Sequence, residues 1–211
     1  DVFRQVEDRI NGPLHPQLQA HVDSVDHIAK HTDLIPVGMG IGPFSLMTKL
    51  LSDPITPIYL AGSGVTAGED PEVRTVEALL ELSLRVVLRS FTAQIQAGAK
   101  ICFLAEPAAN KIYISPKQIE AGSDIFERYV SRPHRRIKAL LGSHGVDLIF
   151  HCCGELTDYM VEQFTRLDPV ILSLGSSRKL WEDARLVPKN IVLFGNLPSK
   201  HFYSDSLISR E

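Results

Sequence analysis

Cysteine is scarce in this sequence. The three cysteines are Cys102, Cys152 and Cys153, and the last two are adjacent. An odd, sparse set with an adjacent pair is not a disulfide framework, and it suits a reducing compartment. The first residues are charged where a signal peptide would need an apolar stretch. We therefore expect a cytoplasmic protein. Because no initiator Met is present, we also expect the chain to begin inside a longer gene product.

Long apolar runs and blocks of basic residues are also lacking. No stretch approaches the roughly 18 apolar residues that a membrane span needs. The formal net charge is −3, without a cluster large enough to attract a polyanion. These absences argue against a membrane or a nucleic acid as the main partner. The 211 residues, 44% hydrophobic and 22% charged, are typical of a globular domain with one sizeable core.

Continuous apolar runs alternate along the chain with segments of helical periodicity. Apolar runs bounded by turn residues are typical of parallel strands that are covered on both faces. We predict five strands, at 34–40, 100–105, 146–152, 170–174 and 191–194. The helices are predicted at 2–31 with a break at 11–13, at 43–51, 72–97, 115–141, 157–167 and 179–184, with a loop or interrupted helix at 52–71. This order predicts an α/β fold, the central part of a (β/α)8 barrel that needs eight strands to close.

Functional residues of such a barrel lie at the carboxyl ends of the strands and in the loops that follow. Small or polar residues cluster at each of the five predicted ends, in segments 38–44, 106–110, 151–155, 173–177 and 195–198. We therefore expect the site in these segments.

The pattern His151–Cys152–Cys153 is the sharpest of these segments. Side chains alternate across a strand, so His151 and Cys153 are predicted to face the barrel mouth and Cys152 the surrounding helices. An imidazole and a thiolate two residues apart are suitable zinc ligands, but a catalytic zinc site typically has three protein ligands. Taken alone, the pattern is more often a hydrogen-bonded histidine with two cysteines that fill apolar space.

Other polar features predict less. The glycines at 38, 40 and 42 follow a strand, but they lack the G-x-G-x-x-G spacing of a dinucleotide site. The acidic residues Asp168, Asp183 and Asp205 and the remaining histidines are predicted to be solvated. The basic segment 132–136 is predicted to be a solvated helix face.

Taken together and in order, the strand ends resemble the uroporphyrinogen decarboxylase superfamily. Gly-Pro-Phe-Ser-Leu at 42–46 resembles its G-P-F-T-L segment. Segments 96–100, 106–110 and 114–118 resemble its A-G-A-D strand with an acidic end and the later S-P-x-x-F turn. Segment 193–197 resembles its G-N-V/L-D-P segment. The segment at 148–154 is similar to the L-H-x-C-G motif of the methylcobamide:coenzyme M methyltransferases.

The resemblance implies one barrel domain over 1–211, incomplete at both ends. It implies zinc bound by His151 and Cys153, with a third ligand outside this chain. It also implies methyl transfer from a methylated corrinoid, carried by a corrinoid protein or as free cobamide, to a small thiol acceptor. The residues expected to shape the site are Glu106 and Asn196 as catalytic groups, and Gly42, Phe44, Asn110 and Ser173 as substrate-binding groups.

Two other functions stay open at this stage. One is cofactor-free decarboxylation of a tetrapyrrole, which would leave His151 and Cys153 without a role. The other is a non-catalytic barrel fragment that binds a ligand or a partner chain. Zinc bound in stoichiometric amount would favour methyl transfer, and metal-free turnover of a porphyrinogen would favour decarboxylation.

Overall fold

Five short strands form one sheet in which every neighbouring pair is parallel. The computed structural model describes residues 2–198. The strands are β1 (Val37–Ile41), β2 (Ile101–Ala105), β3 (Asp147–Cys152), β4 (Ile171–Leu174) and β5 (Val192–Phe194). Their order in the sheet is their order in the chain, which is the arrangement of successive strand–helix units. The predicted parallel α/β architecture is confirmed.

The start of β1 differs from its prediction by three residues. Leu34 and Ile35 are 69% and 65% exposed and precede the strand, which begins at Val37. Pro36 has no backbone N–H to contribute to the sheet, and only its carbonyl accepts a hydrogen bond, from Lys100 N–H at 2.9 Å. The apolar run was therefore longer than the strand it contains.

The helices lie between and beside the strands. They are α1 (Val2–Asn11), α2 (Pro16–His31), α3 (Pro43–Thr48), α4 (Ile55–Gly62), α5 (Pro71–Gln96), α6 (Pro116–Glu120), α7 (Arg132–Ser143), α8 (Asp158–Thr165) and α9 (Leu180–Asp183). A π-helical turn (Glu127–Ser131) leads directly into α7. The helix predicted at 115–141 is thus divided, since Gly122 with φ +91° follows α6 and turns the chain. None of the described helices is long and apolar enough to cross a membrane.

The long helix α5 is defined at both ends by the sequence. The Asp70 carboxylate accepts hydrogen bonds from the N–H groups of Glu72 and Val73, at 2.8 and 2.9 Å, and Pro71 occupies the first turn. At the other end Gly98 has φ +103°, a left-handed conformation that suits glycine. The buried side of this helix packs on α3, α4 and β1.

The hydrophobic core lies between the sheet and the helices. Alternate strand residues point into it, among them Leu104, Phe150 and Leu172, which are fully buried. Phe150 packs on Phe164 of α8, with ring centroids 4.6 Å apart. We call this side of the sheet the helix-covered face.

The opposite side of the sheet, the open face, carries the other set of strand residues. It includes Met39, Phe103, His151, Ser173 and Phe194, one from each strand in turn. Met39 is 54% exposed and Phe194 is 63% exposed. The described helices therefore cover one face of the sheet and leave the other face accessible.

Candidate active site

The carboxyl ends of the first three strands are held together by backbone hydrogen bonds. Gly42 N–H donates to Ala105 O at 2.7 Å, and Glu106 N–H donates to His151 O at 2.8 Å. Both bonds lie at the ends of their strands, where the loops begin. The loops that carry the predicted site residues therefore start from a fixed common edge, as the parallel architecture requires.

His151 lies on the open face, as the alternation of side chains predicted. Its ring stacks on Phe103 of the neighbouring strand, with centroids 5.7 Å apart and planes 27° apart. Its Nδ1 is 2.9 Å from the hydroxyl oxygen of Ser173 on the other neighbouring strand. The ring is thus held from both sides.

The surroundings of His151 favour a neutral imidazole. Burial lowers the pKa of His151 below its ordinary value, and a hydrogen bond with Ser173 opposes this change. If Nδ1–H donates to the Ser173 hydroxyl, the lone pair is on Nε2, which has no hydrogen-bond partner among the described residues. A neutral ring with one free nitrogen is the form in which histidine binds metals.

The two adjacent cysteines have opposite environments. Cys152 is fully buried on the helix-covered face, with Sγ 3.8 Å from Ala109 O, and burial raises its pKa to about 12. Cys153 is exposed. The predicted orientation of Cys152 is confirmed, and the exposed Cys153 is the thiol accessible to a ligand.

Two donors are too few for a catalytic zinc site, which typically has three protein ligands. Within residues 2–198, no group of three or more His, Cys, Asp and Glu side chains could hold a metal ion. The residues present fit zinc in donor type: a neutral imidazole nitrogen and an exposed sulfur. The third ligand was expected outside this chain.

Glu106, predicted as a catalytic group, lies on the helix-covered face. Its carboxyl group is fully buried and accepts hydrogen bonds from the N–H groups of Phe44 (3.3 Å) and Ser45 (2.5 Å). A third partner is His134 Nε2 at 2.7 Å. Gly42 makes room for this carboxyl group, because a Cβ at Gly42 would lie 2.0 Å from Glu106 Oε2. In this structure the carboxyl group therefore holds the start of α3 and has no access to the open face.

Phe44 and Asn110 were predicted to bind substrate. The Phe44 side chain is fully buried in the core and meets Tyr113 edge to face, with centroids 6.3 Å apart. The Asn110 amide nitrogen donates to Pro107 O at 2.6 Å, and its oxygen accepts from Ile112 N–H at 2.7 Å. Both side chains stabilise the loops that follow β1 and β2, and their binding roles stay predictions.

Asn196 connects the last two loops of the site. Its amide nitrogen donates to Gly175 O at 3.0 Å and also to the carbonyl of Arg178. The predicted catalytic amide thus fixes the loop after β4 against the loop after β5. Ser173, predicted to bind substrate, contacts Nδ1 of His151, and its substrate-binding role stays a prediction.

Two buried polar residues were not expected. His134 and Asp183 were predicted to be solvated, yet each is only 1% exposed. His134 lies in a basic segment after Arg132 and Pro133, which suggested an exposed position. It shares a helix face with the buried Ile137 and Leu141, and this spacing could have predicted its burial. Asp183 is held by the Arg178 guanidinium, with Nε 3.1 Å from Oδ1. The predictions for these two residues were wrong, whereas Arg132, Arg135 and Arg136 lie at the surface.

The fold and the position of the site define the class of protein. A parallel sheet of five strands with helices on one face, and with polar loops at the carboxyl ends, is part of a (β/α)8 barrel. The family model named uroporphyrinogen decarboxylase (URO-D) matches residues 3–207. The chain belongs to the uroporphyrinogen decarboxylase family.

Solved structures agree with this fold. A methyltransferase from Methanosarcina mazei superposes with a TM-score of 0.63 at 16% sequence identity. The match covers 84% of this chain and 48% of the methyltransferase chain. This chain thus spans about half the length of that structure. No curated protein sequence matches it significantly.

Proposed function

We propose that the protein transfers a methyl group from a methylated corrinoid to a thiol, with zinc bound by His151 and Cys153. The observation that carries this proposal is the environment of His151. Its ring lies on the open face, held by Phe103 and Ser173, and its Nε2 has no hydrogen-bond partner within residues 2–198. Cys153, two residues further along the chain, supplies an exposed thiol as the second proposed ligand.

The family and the fold support this choice without deciding it. Members of one barrel fold perform many reactions, so the function is inferred from the residues of the site. The superposed methyltransferase is compatible with the proposal, and its 16% identity supports the fold alone. The exposed sulfur and the neutral imidazole are the features that a methyl transfer to a thiol would use.

The residues of this chain would prepare the acceptor for reaction. Ser173 holds Nδ1 of His151, which leaves Nε2 as the nitrogen for a metal, and the stacked ring of Phe103 restricts rotation of the imidazole. Bound zinc would supply a positive charge that lowers the pKa of an acceptor thiol. In the proposed transfer, the acceptor sulfur would form a bond to the methyl carbon of the corrinoid substrate as the carbon–cobalt bond breaks, and the bonding electron pair would stay with the corrinoid.

A pair of cysteine variants of the full-length protein tests this proposal. Cys153→Ser should remove most bound zinc and nearly all methyl transfer, because a hydroxyl is a far poorer zinc ligand than a thiolate. Cys152→Ser is the matched control: its side chain points to Ala109 O on the other face, so zinc content and rate should stay near those of the wild type. The measurements are zinc per chain and demethylation of methylcobalamin with a thiol acceptor.

His151→Ala should resemble Cys153→Ser, since either change removes a proposed ligand. Full activity in Cys153→Ser would contradict the proposal. The second candidate is decarboxylation of a tetrapyrrole, which the name of the matching family model favours. Turnover of a porphyrinogen that is insensitive to a chelator would support this second candidate instead.

A further inference from the structure

The buried pair of Glu106 and His134 has no part in the reaction proposed above. Both side chains are fully buried, and the carboxyl oxygen Oε2 lies 2.7 Å from His134 Nε2. The pair lies behind the sheet, on the helix-covered face, between β2 and α7. We propose that Glu106 and His134 are positioning residues that fix the backbone and the ring orientation of His151 from behind.

The first route from this pair to His151 runs through the backbone of Glu106. Its N–H donates to His151 O at 2.8 Å, and its carboxyl group is bonded to the N–H groups of Phe44 and Ser45. The same residue therefore binds the end of β3 with its backbone and the start of α3 with its side chain. A shift of the carboxyl group would move the acceptor carbonyl of His151.

The second route runs through His134 and Phe150. The two rings meet edge to face, with centroids 5.1 Å apart and planes 86° apart. Phe150 directly precedes His151 in β3 and points to the opposite face. His134 thus supports the strand residue whose neighbour carries the proposed zinc ligand.

The polar character of this pair is costly if its only role is to fill the core. A buried ionic or polar pair is often no more stabilising than apolar residues of similar volume. In addition, His134 Nδ1 is buried and has no hydrogen-bond partner among the described residues. Directional bonds hold a strand end more exactly than apolar contacts do, which gives a reason to keep a carboxyl group and an imidazole here.

The test compares Glu106→Gln with Gln94→Met in the full-length protein. Gln94 is also fully buried. Its side-chain amide accepts a hydrogen bond from Met39 N–H and donates one to Met39 O, in β1, two strands away from His151. Glu106→Gln keeps the shape but replaces one carboxyl oxygen, which accepts from the N–H of Phe44 or of Ser45, by an amide group that donates. Both variants should lower Tm, because both disturb buried hydrogen bonds.

Only Glu106→Gln should change His151 itself. We expect displaced ring ¹⁵N signals of His151 in zinc-free protein, assigned with His151→Ala, and a zinc Kd about 10–100-fold weaker. His134→Gln can still donate to Glu106 and should retain tighter zinc binding than His134→Leu. If Glu106→Gln lowers Tm as Gln94→Met does, with His151 signals and zinc Kd unchanged, the pair is merely structural and the inference is wrong.

The inference rests on the proposed function only for the zinc measurement. If the wild-type protein binds no zinc, the proposed function fails. The ring signals of His151 in the zinc-free variants still decide whether Glu106 and His134 position that residue.

Discussion

Alanine at Gly42 is the most direct test of how the site is built. The backbone of Gly42, with φ −71° and ψ 155°, is open to any residue, so the requirement for glycine comes from space alone. A Cβ would lie 2.0 Å from Glu106 Oε2 and 2.3 Å from its Cδ. The carboxyl group cannot swing away easily, because Phe44 N–H, Ser45 N–H and His134 hold it.

The cost of Gly42→Ala follows from these contacts. Overpacking a well-filled site costs about 1–3 kcal/mol. If the carboxyl group moves, at least one buried N–H loses its acceptor, which costs about 1–3 kcal/mol. We therefore expect the free energy of unfolding to fall by about 2–6 kcal/mol. Urea denaturation measures this as a lower midpoint at constant slope.

Two controls isolate the cause of this loss. Gly142 lies inside α7 with nothing within 4 Å of a built Cβ, so Gly142→Ala should stabilise the protein by about 0.5–1 kcal/mol. In a Glu106→Ala background the clash partner is gone, and Gly42→Ala should then cost almost nothing. An unchanged midpoint for Gly42→Ala alone would mean that the Glu106 carboxyl group is not behind Gly42, and the reasoning would be refuted.

Two further predictions concern buried groups elsewhere. At neutral pH a thiol reagent should modify Cys153 rapidly in native protein and spare Cys102 and Cys152, because burial raises the pKa of both buried thiols to about 12. Peptide mapping by mass spectrometry measures this labelling, and equal labelling of Cys152 would contradict its buried position. Arg178→Met should destabilise the protein by about 3–5 kcal/mol, since it leaves the buried Asp183 carboxylate without its partner. Denaturant unfolding measures this loss, and it should be largely recovered when Asp183→Leu is added.

The parallel sheet could be predicted from the sequence because continuous apolar runs bounded by turn residues have few other uses in a chain of this length. The ends of the elements were harder. Leu34 and Ile35 belong to the apolar run before β1, yet Pro36 separates them from the strand. Residues 55–62 form the helix α4, but they were predicted as a loop or interrupted helix because Pro and Gly residues are frequent in this part of the chain.

The sequence predicted the orientation of His151 and Cys152, but it did not predict that of Glu106. The alternation that placed His151 on the open face also applies to β2, where Cys102 and Leu104 are buried beneath the helices. Continuing that alternation by one residue places Glu106 on the helix-covered face, where the structure has it. The family motif identified Glu106 as the acidic residue at the strand end. The two-residue period of β2 predicts which face its side chain lies on.

Partners from distant parts of the chain could not be predicted from local patterns. Ser173 and His151 are brought together by the register of β3 and β4, which the sequence does not specify. Glu106 and His134 meet because α7 packs behind β3, a contact that depends on the whole fold. These two pairs lie on opposite faces of the same strand end. The proposed role of His151 therefore depends on both pairs. The Ser173 hydroxyl contacts Nδ1 and leaves Nε2 for a metal, and the Glu106–His134 pair is proposed to fix the orientation of the ring.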